Sequence, residues 1–200
     1  MEIYLYGCGG HAKVILDIFY QQGKSIKALI DDNPPSTVNQ IYGVPIYRAS
    51  EALSNINPEN SKWIIAIGNN RIRQKLALQL ENQGYSFATA IHPSAKIALG
   101  VEISPGTVVM ANTVINTDTT IGNHVILNTG SLVDHDCHIG DYTHISPGCI
   151  LCGHVKVGKK VLLGANTTVS PCIEISDEIS CDPGSTIVES LFSSSTELFT

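Results

Sequence analysis

The segment Asp134-His135-Asp136-Cys137 places a carboxylate, Asp136, beside an imidazole, His135, and is the part of this 200-residue chain best suited to moving a proton. Imidazole changes charge near neutral pH, and a neighbouring carboxylate supports its charged form. Such a histidine can serve as a general base, worth about 10²–10⁴-fold in rate. A second set of residues has the types that hold a phosphorylated ligand. Gly7-Cys8-Gly9-Gly10-His11 follows an apolar stretch, Asp31-Asp32 closes another, and Gly68-Asn69-Asn70 closes a third. Glycines let the backbone approach a phosphate, a helix start supplies free N–H groups, and a carboxylate accepts hydrogen bonds from a ribose or base edge. The candidate substrate-holding residues are therefore Gly7, Gly9, Gly10, His11, Asp31, Asp32, Gly68, Asn69 and Asn70.

These residues need elements to carry them. Residues 2–6 alternate toward a buried strand, and the run after His11 reads as an amphipathic helix closed by Gly23. Further strands are expected at 26–30 and 63–67, with a helix from Arg71 to a stop at Gly84. The pattern is a Rossmann-like βαβ unit with ligand-type residues at strand carboxyl ends, where open α/β sheets bind ligands. Lys13 and Val14 stand where a third dinucleotide-binding glycine belongs, so a mononucleotide or nucleotide-sugar fits better than a dinucleotide. The plainer alternatives are a glycine turn needed only for packing, aspartates that form a turn before Pro34-Pro35, and a solvated His11.

From Ile91 the pattern changes. Every sixth residue is aliphatic through Ile97, Ile103, Val109, Ile115 and onward to Ile175, and only Cys181 interrupts before Ile187. Four residues after each comes something small or β-branched, such as Thr107, Thr113, Ser131 and Cys149. Neither a helix nor a simple alternation keeps one stripe inward at that interval, whereas a triangular coil of short parallel strands does. Three rungs close a coil of about 18 residues, and roughly five coils fit. That spacing stacks Gly153 over His135 and His154 over Asp136. A missing side chain above the base leaves room for a ligand, and the Gly153 N–H is a candidate donor to a carbonyl placed there. The expected organisation is a nucleotide-sugar-binding module at 1–90, a parallel β-helix at 91–190 and a flexible tail at 191–200.

Composition narrows the partners. A net charge of −6 and a pI near 5.6 leave no broad basic surface for nucleic acid or an anionic membrane. Mean hydropathy is +0.12, yet no apolar run is long enough to span a bilayer. The chain opens on a strand-like Glu-Ile-Tyr-Leu-Tyr without a basic leader, which points to the cytoplasm. The six cysteines fall mostly on repeat positions, with Cys137 and Cys149 in small inward slots, so packing is expected rather than a disulfide framework. His92, His124 and His138 are expected to point outward from their rungs.

The segments GCGGHAK, AIGNNRIRQK and NTGSLVDHDCHIGDYTHISPG resemble the NeuD and PglD-like sugar acyltransferases over residues 1 to about 188. The resemblance implies a left-handed β-helix and acetyl-CoA as co-substrate. It also implies His135 as general base with Asp136 tuning it, His144 near the acetyl group, and Asn128 in the preceding rung. Acetyl-CoA would be held by His144, Gly153 and Ala165. The implied reaction is direct N-acetylation of a nucleotide-linked amino sugar by a homotrimer with active sites between subunits. The alternatives are O-acetylation of a sialic-acid type of sugar and a noncatalytic scaffold. A zinc site using His135, His144 and His154 fits the segment less well, and no metal is expected. The chain departs from the family at its end, where CDPGSTIVES replaces the usual lysine-bearing loop.

Overall fold

The computed structural model describes residues 1–192. Its first part is a sheet in the order β3-β4-β2-β1-β5-β6, formed by β1 (Glu2–Tyr6), β2 (Ala28–Asp31), β3 (Gln40–Ile41), β4 (Val44–Arg48), β5 (Ser61–Ile65) and β6 (Ser86–Phe87). All pairs are parallel except the β3–β4 hairpin at the edge. Helix α1 (Gly10–Gln21) buries Ile15, Leu16, Ile18 and Phe19 in the core that also holds Leu5, Leu29 and Ile64. Helix α3 (Asn70–Glu81) packs with Tyr4, Tyr6 and Trp63, while the short α2 (Ala49–Ala52) adds Ala49 to the same core. The βαβ reading stands for β1, β2 and β5. It missed the hairpin, where Tyr42 and Gly43 both adopt positive φ, the conformation a tight two-residue turn requires.

From Ala90 the chain winds as two-residue strands, β7 (Ala90–Ile91) through β23 (Thr186–Ile187), into three parallel sheets that close a left-handed β-helix. Each strand pairs with the one 18 residues on, as Ile126 does with His144 and Leu132 with Ile150. The aliphatic repeat forms one interior, from Val109 through Leu127, Ile145 and Leu163 to Ile187. Cys137 and Cys149 are buried in it. The repeat folds this way because every corner from Gly100 to Gly184 has a left-handed residue. Asn112, Asp118, His124, Asp136, Tyr142, His154 and Lys160 all have φ between 54° and 60°, and Gly130 and Gly148 hold intervening corners. The coil continues past the expected boundary of the tail, because Leu191 bridges Ile175. The rest of that expectation, residues 193–200, lies outside the described residues.

The prism's three faces differ. The face that carries Ala90, Val108 and Ile126 is covered by the N-terminal module, whose α1 and β1 share a core with them. Along one edge of that face, Asn70 Nδ2 donates to the Lys160 and Val161 carbonyls and Arg71 pairs with Glu178. No helix among the described residues is long and apolar enough to cross a membrane.

Candidate active site

His135 sits at the corner between the face carrying Leu132 and the face carrying His138. Its Nδ1 lies 2.7 Å from Asp136 Oδ2, so Nδ1–H donates and Nε2 keeps a free lone pair. That hydrogen bond raises the His135 pKa above its ordinary 6.5, with further help from the charges of Asp134 and Asp136. Asp134 braces the corner, accepting from the His135 backbone N–H at 2.8 Å and from Asn116 Nδ2 at 2.9 Å. Those two donors hold the Asp134 carboxyl below the usual range. His154 stands one coil on, 3.7 Å from Asp136 Oδ2 and edge-on to the His135 ring at 5.2 Å. Sequence reasoning missed Asp134 and Asn116, although the 18-residue spacing between them is the same signal that placed Gly153.

Gly153 does lie over His135, but the space it leaves is filled by the ring. A Cβ there would come within 2.7 Å of Cε1 and 2.8 Å of Nε2. The glycine seats the imidazole rather than leaving a vacancy for a thioester. Its φ is outside the left-handed region, so alanine is compatible with the backbone, and the ring is the movable partner. Gly153→Ala is expected to lower kcat by about 10²-fold through misplacement of the ring, with little loss of stability. Single-turnover kinetics alongside thermal unfolding checks both, and an unchanged kcat would sink the seating role.

The second site gathers at the carboxyl ends of β1, β2 and β5, facing the coil. The N-terminus of α1 has no side-chain cap and its Gly9 and Gly10 are open, with nothing within 4 Å of either added Cβ. Helix α3 instead is capped by Asn69, which accepts from the Ile72 N–H. His11 and His144 lie near each other and near Arg73. Burial, aided by the other's ring and the Arg73 charge, lowers His11 to about 4. Burial and Arg73 likewise lower His144 to about 4, partly offset by the Gly68 backbone. Both are therefore neutral near pH 7. Asn128 Oδ1 accepts from the Thr129 N–H, which turns its Nδ2 toward His144 Nε2 at 3.0 Å.

Several of the expected ligand residues have other partners. A Cβ on Gly7, which has φ of +112°, would lie 2.8 Å from Ile67 Cδ1 and 2.9 Å from the Ala66 carbonyl, so this glycine is required by packing. Asp31 ties the glycine turn to β2 by accepting from the Cys8 N–H and from the Asn33 N–H. Asn69 caps α3, and Asn70 clamps the coil. Gly68 is open, with its carbonyl accepting from Arg73 Nη1. Asp32 is exposed, with Oδ1 accepting from the Tyr6 hydroxyl at 2.7 Å. His124 corrects the expectation that it points outward. It is buried between Phe87 and Tyr142, because its corner is where the N-terminal module docks.

Within one chain the two groups stay apart. His144 lies on the face covered by the N-terminal module, and in a triangular prism the corner bearing His135 is opposite that face. Ala165 occupies a third position, at the corner between the His144 and Ile150 faces. The histidine trio imagined for zinc is not assembled. Only His135, Asp136 and His154 bring ligand atoms within 4.8 Å of one another among the described residues.

Comparisons with known proteins match the two parts of the chain separately. Residues 2–80 match the PglD N-terminal domain, and residues 136–171 match the bacterial transferase hexapeptide (six repeats). The perosamine N-acetyltransferase of Caulobacter crescentus, solved as a variant with CoA and GDP-perosamine, is 35% identical. It superposes with a TM-score of 0.90 over 96% of this chain and 90% of its own. The acetyltransferase domain of PglB from Neisseria gonorrhoeae, in complex with acetyl coenzyme A, is 27% identical with a TM-score of 0.88, over 95% of this chain and 92% of its own. The GDP-perosamine N-acetyltransferase of Escherichia coli O157:H7 is 27% identical over 84% of this chain and 78% of its own length. With this fold, this arrangement of sites and a 35% identical relative spanned almost end to end, the chain belongs to the NeuD and PglD-like family of sugar acetyltransferases.

Proposed function

We propose that the protein transfers an acetyl group from acetyl-CoA to the amino group of a nucleotide-linked sugar, with His135 as the base. The observation that carries the assignment is the His135–Asp136 pair on its glycine seat, an imidazole with one nitrogen held and the other free. The similar proteins whose names specify GDP-perosamine support an amino sugar joined to a nucleoside diphosphate. The sugar nitrogen attacks the thioester carbonyl, and His135 Nε2 takes the proton that the nitrogen sheds. The C–S bond then breaks, and CoA leaves as a thiolate that accepts the proton back. Asp136 supports the imidazolium in between. The Gly153 N–H is the proposed donor to the carbonyl oxygen. The diphosphate belongs at the uncapped start of α1, over Gly9 and Gly10, with the sugar reaching toward His11, Asn128 and His144.

A screen of UDP-, dTDP- and GDP-linked amino sugars for acetyl-CoA-dependent thiol release tests the assignment. Thiol release with none of them, or with free hydroxyl sugars instead, overturns it.

The same geometry favours a trimer, and a cytoplasmic location is proposed with it. The His135 corner needs a nucleotide module that its own chain places elsewhere, so a neighbouring subunit is proposed to supply it. The contact face is legible in the outward residues. One face is covered, one carries Glu102, Thr120, His138, Lys156 and Glu174, and the third carries Val114, Leu132 and Ile150 beside the His135 corner. Leu132 and Ile150 are 39% and 40% exposed. Leu132→Asp combined with Ile150→Asp is expected to yield monomers without activity, since two charges cannot be buried unpaired. Sedimentation equilibrium decides, and a monomeric wild type at micromolar concentration ends the shared-site model.

A further inference from the structure

We propose that the His135 corner is also a binding site for a divalent cation of the zinc class, held by His135, Asp136 and His154, and that the bound cation inhibits the enzyme. The site stands on geometry, whereas its effect on turnover rests on the reading of His135 as the base. Asp136 Oδ2 lies 2.7 Å from His135 Nδ1 and 3.7 Å from His154 Nε2, and one ligand atom from each of the three residues lies within 4.8 Å of the other two. Zinc bonds arranged as a tetrahedron put ligand atoms about 3.3 Å apart, between the first two of these distances. All three side chains are about half exposed, so small rotations close the set.

The coil presets the backbone beneath them. The Asp136 N–H donates to the Thr117 carbonyl and the His154 N–H to the His135 carbonyl, each at 3.0 Å, which holds the two left-handed corner residues one coil apart. Two imidazoles and a carboxylate suit zinc rather than calcium or magnesium, and with three protein ligands the fourth position falls to water. Inhibition follows from the two nitrogens of the ring. As a base, His135 carries its proton on Nδ1 and keeps the Nε2 lone pair free. A cation on Nδ1 takes the place of that proton, which passes through water to Nε2. A cation on Nε2 occupies the lone pair itself. In both cases no lone pair is left to accept the proton of the sugar nitrogen.

Titration of the full-length protein with zinc chloride, without substrates, measures binding, and formation of the acetylated product at rising zinc measures turnover. Saturable binding is expected, with inhibition over the same range of zinc and recovery on adding a chelator. His154→Asn keeps a residue type that tolerates the corner's φ of 60°. It is expected to weaken zinc by at least the loss of about 10–100-fold that removing a ligand's supporting partner costs. The same variant should keep its metal-free turnover and resist inhibition. Absorption of the wild type with Co²⁺ gives a reading that needs no variant: ligand-field bands of a tetrahedral site without a thiolate charge-transfer band are expected. A thiolate band would put the cation on a cysteine such as Cys172, which lines a hollow beside His154, and would overturn the site. Absence of binding at millimolar zinc, or binding that His154→Asn leaves unaltered, overturns the site while His135 stands as the base. Binding that depends on His154 but leaves turnover intact overturns inhibition and the base assignment together.

Discussion

Replacing His135 with alanine is expected to cut kcat by about 10²–10⁴-fold, the range for losing a general base, while KM for both substrates stays within a few-fold. The split follows from the geometry. The ring is held at Nδ1 by Asp136 and seated on Gly153, so the free Nε2 contributes to proton transfer more than to binding. The pH profile gives an independent readout. Because Asp136 raises the His135 pKa, the rising limb in the wild type should be centred above 6.5. Below that pH the base is protonated and inactive. Asp136→Asn removes the carboxylate charge and weakens the raising hydrogen bond, and should move the limb to lower pH while lowering the plateau. His144→Ala should be milder, because that ring lies on the module-covered face with its Nε2 taken by Asn128. Near-full turnover by His135→Ala on a verified substrate would mean that the amine arrives already deprotonated.

The largest stability effect is expected at Arg73. This guanidinium is buried, and no carboxylate pairs with it among the described residues. Burial lowers its pKa to about 9, which still leaves it charged at neutral pH. Carbonyls satisfy it instead. Nε donates to His124 at 2.8 Å, Nη1 to Ile67 and Gly68 at 3.1 and 2.9 Å, and Nη2 to Tyr142 at 2.6 Å and to Asn70 Oδ1 at 2.8 Å. One side chain thus joins β5, α3 and two corners of the coil. Arg73→Met fills most of the volume but strands those carbonyls, and should cost about 3–5 kcal/mol. Urea unfolding followed by Trp63, the only tryptophan, measures it. A loss below about 1 kcal/mol would show that water replaces the donors without penalty. Arg73→Lys should recover little, since an ammonium lacks the planar fork.

Periodicity explains which features were legible in the sequence. The coil, its inward stripe, the stacking of Gly153 on His135 and the partnership of His154 with Asp136 all follow from one spacing, repeated often enough to be read directly. The strands and helices of the first module were legible from alternation and glycine stops. What stayed hidden is what joins the two parts. Arg73 meets His124 and Tyr142 across 51 and 69 residues, and no local pattern encodes such a contact. A signal did exist. Arg73, Leu76, Ala77 and Leu80 fall on one helical stripe, and all four are buried. An arginine in an otherwise apolar stripe marks a charge that the fold must satisfy elsewhere. His124 was misjudged for the related reason that a corner residue faces water only where nothing docks. The candidate glycines and aspartates do lie at strand ends, but composition cannot separate those that hold the turn from those left open.

The register of the coil has a further consequence for how the chain can change length. Each strand aligns with the one 18 residues away, so the molecule resembles a ruler with one mark per turn. Inserting one residue within a rung puts every later aliphatic residue out of phase, whereas inserting a whole turn keeps all of them in phase. The C-terminal end can therefore lengthen or shorten by complete turns without disturbing the His135 corner or the clamp at Arg73. Growth in whole turns would lengthen the coil and leave the His135 corner where it is.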